Sequence, residues 1–126
     1  MDFFKSILAV GFGGAAGALL RYCVILSTAH TFLPLGTLLI NIVGSFLLGA
    51  INGYFASKKK SLVFLALGSG VCGGFTTMST FSQETVEFLQ TSVLYAGVYV
   101  GASVSLSLLA GFFGLVLFNR QRGEMR

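Results

Sequence analysis

The residues most able to do chemistry lie in one short stretch, Thr76–Ser82, which carries five hydroxyl side chains within seven residues. Gly73 and Gly74 come just before it, and glycine is costly inside a continuing helix. The flanking sequence is apolar enough to cross a membrane, where hydrocarbon satisfies neither free backbone groups nor hydroxyls. We therefore predict a broken helix whose hydroxyls are buried in protein or line a wet cavity, as at ion and substrate sites of membrane proteins.

Neutral hydrogen-bonding side chains recur on two other apolar segments. Their spacing of four residues places each set on one face of a helix. The two stripes are Thr37, Asn41 and Ser45, and Tyr99, Ser103 and Ser107. Two simpler interpretations stay open: the asparagine could only join two helices, and the serines could bond the preceding turn of their own helix.

A small anion is the ligand that suits these groups. The amide NH2 and the hydroxyls offer hydrogens, and the edge of the Phe81 ring is electropositive. A cation path would more often carry a carboxylate deep in the membrane. The candidate donors are Asn41, Ser79, Thr80, Ser82, Ser103 and Ser107.

Two charged residues interrupt otherwise apolar segments. Arg21 lies two-thirds of the way along the first, and Glu84 follows Phe81 by about one turn in the third. Charge inside a span is costly, so we predict that both side chains flank an aqueous vestibule. Catalysis is not expected, because the single His and four acidic residues assemble no catalytic triad or metal-ligand cluster.

The elements that must position these groups are membrane helices. The 126 residues are 55% hydrophobic and only 10% charged, whereas a soluble domain carries about 25% charge. The sequence predicts an all-α fold, a single transmembrane domain over residues 1–126 with spans at about 4–29, 35–56, 62–89 (broken near 73–78) and 92–118. Glycine pairs spaced by four, Gly13 with Gly17 and Gly49 with Gly53, predict close helix packing.

Basic residues predict the topology. If there are four spans, Lys5, the run Lys58–Lys60, and Arg120, Arg122 and Arg126 all lie on one side of the membrane. The positive-inside rule then places both termini in the cytoplasm. We interpret the net charge of +4 as topological information and expect no nucleic-acid partner.

Three ordered motifs resemble those of a known family. The segments Gly13–Tyr22, Gly36–Gly49 and Gly73–Ser82 are similar, in that order, to the signatures of the Fluc (CrcB) fluoride channels. Length and span number agree, so the resemblance covers nearly the whole chain.

The resemblance implies an antiparallel, dual-topology dimer with two fluoride pores and a structural sodium ion at its centre. By motif position, backbone carbonyls of Gly73 and Thr76 from each subunit would hold the sodium. Asn41 would be the pore-lining asparagine, and Phe81 the second of two phenylalanines along the fluoride path. The polar track on the fourth span would be Tyr99, Ser103 and Ser107.

One position departs from the family pattern. The first pore phenylalanine is replaced here by Met78, which has no electropositive ring edge, so its half of a pore is expected to conduct differently or not at all. The one-sided basic bias also fits poorly with a chain that inserts both ways. We therefore expect pairing with a homologous subunit of opposite orientation, with a second copy of this chain as the alternative.

The function expected from these features is passive, fluoride-selective efflux across the bacterial cytoplasmic membrane, with fluoride and the bilayer as partners. The alternative is a four-span secondary transporter of the small multidrug type. That mechanism requires a carboxylate in the first span, and none lies between Phe3 and Ala29. A purely structural helical subunit would leave the hydroxyls of the third span unexplained.

Overall fold

A computed structural model describes residues 2–30, 34–56 and 61–124, the last four without their side chains. Its described residues are helical, with no strand. Helix α1 is Phe3–Thr28 and α2 is Leu35–Tyr54. The third helical stretch comprises, in order, α3 (Leu62–Phe64), a π-helical segment (Leu65–Cys72), α4 (Gly73–Phe75) and α5 (Ser79–Thr91). Helix α6, Val93–Glu124, continues beyond the predicted end of the fourth span at residue 118.

Four stretches are long and apolar enough to cross a membrane within the described ranges: Phe3–Thr28, Leu35–Tyr54, Leu62–Thr91 and Val93–Arg120. Large apolar side chains remain exposed along all four, as lipid-facing helices require, and Ile40 is the one large side chain that is fully buried among the described residues. The predicted all-helical fold with four helices able to cross a membrane is therefore confirmed. The lysine run that entered the topology prediction lies outside the described residues.

Glycine determines how closely the helices approach. A Cβ on Gly49 would overlap the carbonyl oxygen of Gly111, so α2 and α6 touch backbone to backbone. A Cβ on Gly13 or Gly17 would likewise overlap a carbonyl oxygen in the π-helical segment, and one on Gly74 would overlap an oxygen of α1. Close approach at such positions is the packing that small residues allow in membranes. Two helix pairs result, α2 with α6 and α1 with the third stretch.

The third stretch changes its hydrogen-bonding pattern twice. The π-helical segment has i to i+5 bonds, which are rare and are frequent at functional sites. Beyond α4 the backbone of Thr76 is extended, with φ −73° and ψ 158°, and regular helix resumes at Ser79. The residues Thr76–Met78 therefore separate two helical segments at the position where the hydroxyl-rich stretch begins.

Candidate functional site

The separating residues are held by a side chain from α2. Asn41 Oδ1 accepts the backbone N–H of Thr77 at 3.0 Å, and Asn41 Nδ2 donates to the Thr77 carbonyl at 3.1 Å. One amide thus satisfies both backbone groups of a residue that no longer has helical partners. These two bonds agree with the simpler interpretation of Asn41 as a link between two helices. Its NH2 group keeps a second hydrogen that these bonds do not use.

A side chain from α1 reaches the same place. Arg21 Nη1 donates to the Thr76 carbonyl at 3.1 Å. Among the described residues one ion pair forms, between Lys5 and Asp2. Arg21 therefore has no carboxylate partner within that part of the chain. An uncompensated positive charge in a low-dielectric setting attracts anions. The break in the third stretch is therefore electropositive on the α1 side.

Helix α5 begins with a hydroxyl cap. The Thr77 Oγ1 accepts the backbone N–H of Thr80 at 3.2 Å and lies 3.2 Å from Ser79 Oγ. Such a bond satisfies one of the free amides that every helix start exposes. Thr77 was missing from the candidate site residues. Its position could have identified it, because Thr77 follows the predicted break and stands three residues before Thr80. A hydroxyl at that spacing can accept a backbone N–H at a helix start.

A cleft of about 420 Å³ opens beside the break. It collects most of the predicted pore and cation residues from α2, the third stretch and α6. These are Asn41, Gly73, Thr76, Met78, Phe81, Ser103 and Ser107. Two residues of each predicted stripe therefore face one common space, Asn41 and Ser45 on α2 and Ser103 and Ser107 on α6, whereas Thr37 and Tyr99 do not line it.

The cleft contains hydroxyl groups without partners. Ser103 is only 4% exposed, and among the described residues neither its Oγ nor that of Ser107 has a partner at hydrogen-bond distance. The interpretation that these serines bond the preceding turn of α6 is therefore wrong for both. The Ser103 hydroxyl still interacts with that of Tyr99, one turn earlier on α6. A buried hydroxyl without a partner costs about 1–3 kcal/mol, and such groups in native structures call for a ligand, an ion or a water. The cleft offers unsatisfied donors to whatever enters it.

Glu84 belongs to a separate hydrogen-bond network. Its Oε1 accepts from Thr37 Oγ1 at 2.8 Å and its Oε2 accepts from Tyr99 Oη at 2.5 Å. The Tyr99 ring lies 5.4 Å from the ring of Phe81 and 5.3 Å from that of Phe88. Glu84 therefore anchors the tyrosine whose ring is adjacent to Phe81.

The predicted residues divide into those that line the cleft beside the break and those that do not. Ser82 does not line it, because its Oγ donates to the Met78 carbonyl at 2.8 Å within its own helix. Tyr99 does not line it either, but contacts Phe81, which does. Arg21 reaches the break, whereas Glu84 lines another cleft of about 340 Å³. A shared vestibule for these two charges stays a prediction.

Any cation at the break would need backbone oxygens. The described residues contain no group of three His, Cys, Asp or Glu side chains that could hold a metal. Two carbonyls at the break lack their usual helical donors, since the amides of Thr77 and Thr80 donate to side-chain oxygens instead. These are the carbonyls four residues earlier, those of Gly73 and Thr76. Carbonyl oxygens without helical donors are ligands that hard cations accept. The Thr76 oxygen also accepts from Arg21, whose positive charge opposes a cation nearby.

Known proteins resemble this chain over most of its length. Residues 8–115 match the model of a family described as CrcB-like protein, Camphor Resistance (CrcB). A Bacillus licheniformis protein named fluoride-specific ion channel FluC 2 is 45% identical over 120 residues, or 94% of this chain and 91% of that protein. The protein of the same name from Bacillus subtilis is 44% identical over 120 residues, covering 94% and 92%. Fluoride-specific ion channel FluC of Rhizobium meliloti is 43% identical over 119 residues, covering 88% and 94%.

Proposed function

Because the chain belongs to the CrcB-like family of fluoride-specific ion channels, we propose that it conducts fluoride passively out of the bacterial cell. The chain is a bacterial multi-pass membrane protein. Its relatives are named ion channels, which confirms the expectation that it is not an enzyme. Export follows from the membrane potential, since an inside-negative potential is worth about 2.3 kcal/mol per charge per 100 mV.

The observation that carries this proposal is the set of unpartnered donors in the cleft beside the break. The buried hydroxyls of Ser103 and Ser107 face a space that Asn41 and Phe81 also line. A fluoride ion must exchange its water shell for protein donors, and no cleft-lining residue carries a carboxylate that would repel it. Selectivity then comes from the number and spacing of donors, which larger anions cannot use equally well.

We propose further that Phe81 and Met78 line successive parts of the path. The ring of Phe81 is held against Tyr99, which fixes the direction of its electropositive edge. Met78 is 72% exposed at the cleft and offers a flexible thioether without such an edge. The Met78 side of the path is therefore the weaker site for the anion.

We propose that a second subunit of opposite orientation completes the pores, and that a structural sodium ion lies between the two breaks. Gly73 supports this proposal, because a Cβ built there meets nothing within 4 Å. The single chain therefore has room for a Cβ at Gly73, and we expect Gly73→Leu to impair assembly with the other subunit. The one-sided basic bias favours a homologous partner, with a second copy of this chain as the alternative. The same bias places both termini in the cytoplasm.

The experiment that tests the function is fluoride efflux from liposomes containing the purified chain, measured with a fluoride electrode. The chain is assayed alone and together with a homologous subunit, in equal fluoride and chloride gradients. Fast fluoride loss that needs no proton gradient, with chloride retained, supports the channel. Efflux coupled to protons would instead support the small multidrug type of transporter, although α1 has no carboxylate for it. Absence of fluoride loss in both preparations would contradict the proposal.

A further inference from the structure

The Thr77 amide is diverted from its usual partner. In an uninterrupted α-helix this N–H would donate to the carbonyl of Gly73, four residues earlier. It donates instead to Asn41 Oδ1 at 3.0 Å. The orientation of the asparagine amide is fixed by this pairing, because a backbone N–H must face oxygen while the adjacent carbonyl faces Nδ2.

The diversion leaves the Gly73 carbonyl without its helical donor at the edge of the cleft. Gly73 and Thr76 both line that cleft. The Thr76 carbonyl has lost its helical donor in the same way, since the Thr80 amide donates to Thr77 Oγ1. Arg21 occupies one of the two lone pairs of the Thr76 oxygen and leaves the other available. Side chains that compete for two amides thus leave two carbonyl oxygens available at one break.

We infer that Asn41 is a positioning residue for the cation site as well as a donor in the fluoride path. This inference rests on the proposed function. The Oδ1 atom keeps the Thr77 N–H away from the Gly73 carbonyl and so maintains a cation ligand. The second hydrogen of Nδ2 remains for an anion in the cleft that Asn41 lines. One side chain therefore links the cation ligand set to the anion path.

Substitutions can test the roles of Asn41 Oδ1 and Nδ2 separately. Asn41→Asp keeps an oxygen that accepts the Thr77 N–H, but it removes the NH2 donor and adds negative charge. Asn41→Leu removes both bonds to Thr77, and with them a restraint on the extended backbone of Thr76 (ψ 158°). We expect Thr76 then to become helical, which returns the Thr77 amide to the Gly73 carbonyl and closes that ligand. Asn52→Leu is the matched control, because Asn52 lies on the same helix and, among the described residues, its Nδ2 donates to the Leu48 carbonyl within that helix.

The test is thermal unfolding in detergent of the full chain, alone and assembled with a homologous subunit, in sodium chloride and in an equal concentration of N-methylglucamine chloride, alongside fluoride efflux. The unsubstituted chain and Asn52→Leu should unfold at higher temperature in sodium. Asn41→Asp should keep this sodium shift and lose most of its efflux. Asn41→Leu should need about tenfold more sodium for the same shift, as expected for one hydrogen bond of about 1.4 kcal/mol, and should also lose efflux.

Each outcome bears on a different part of the proposal. A full sodium shift in Asn41→Leu would overturn the positioning role. Loss of the shift in Asn41→Asp would overturn the role of Oδ1, because that variant keeps the acceptor for the Thr77 N–H and loses the donor to the Thr77 carbonyl. This holds even if Asn41→Leu fails to fold. No sodium shift in either preparation of the unsubstituted chain would overturn the cation site itself, while efflux would still test the channel independently.

Discussion

Replacing Ser103 with alanine should separate function from stability. The Ser103 side chain is 4% exposed, and its hydroxyl has no hydrogen-bond partner among the described residues. If that hydroxyl serves a passing anion, its removal should slow fluoride flux. If it serves no structural bond, the same removal should leave the fold intact or make it more stable. A serine that held helices together would give the opposite result for stability.

The expected changes in stability and in fluoride flux follow from the burial of the Ser103 hydroxyl. Burying a hydroxyl without a partner costs about 1–3 kcal/mol, so the alanine variant should be as stable as the parent or up to that much more stable. A hydrogen bond to a charged group is worth about 1.5–3 kcal/mol. Every 1.4 kcal/mol is a factor of ten, so flux should fall by roughly tenfold to a hundredfold.

The assays are efflux from liposomes with a fluoride electrode and chemical unfolding in detergent. Ser105→Ala is the matched control, because Ser105 lies on the same helix and is exposed; it should change neither quantity. Unchanged flux in Ser103→Ala would remove this hydroxyl from the path. A loss of stability above about 1 kcal/mol would show that it makes a structural hydrogen bond.

Three further substitutions test the packing, the Glu84 network and the pore. Gly49→Ala should destabilise the chain by about 1–3 kcal/mol through overpacking against α6. The control is Gly11→Ala, which should not destabilise it because a Cβ there meets nothing within 4 Å. Equal unfolding midpoints for the two variants would contradict the packing argument. Tyr99→Phe should lose about 1.5–3 kcal/mol of stability, because it removes a hydrogen bond to a carboxylate. Tyr95→Phe, at an exposed tyrosine, is the control in the same unfolding assay. Met78→Phe should raise fluoride efflux by supplying an electropositive ring edge, and lower efflux would mean that the thioether contributes to conduction.

Spacing in the sequence predicted which side chains share a face. Thr37 and Asn41 lie four residues apart on α2, and both donate to the third stretch, at Glu84 and Thr77. The spaced glycines also predicted close packing correctly, because a Cβ on Gly49 would overlap a carbonyl of α6. Both results depend on helical periodicity, which is a local property that the order of residues determines.

Other features depend on how helices cross, which periodicity does not contain. The Ser82 hydroxyl donates to the Met78 carbonyl one turn earlier in its own helix, and its place in the pore stays a prediction. The sequence did not indicate that Arg21 would bond the Thr76 carbonyl, 55 residues away. The π-helical segment was also not predicted, because apolar patterning does not distinguish i to i+4 from i to i+5 bonding.

The most direct test of the central claim is the reversal potential of the current that the chain carries across a planar bilayer. A tenfold fluoride gradient is imposed with equal chloride on both sides, for the chain alone and for the chain with a homologous subunit. Passive, selective conduction predicts a reversal potential about 59 mV from zero, the value for a tenfold gradient of one charge. A current that reverses near zero, or no fluoride current in either preparation, would contradict the account.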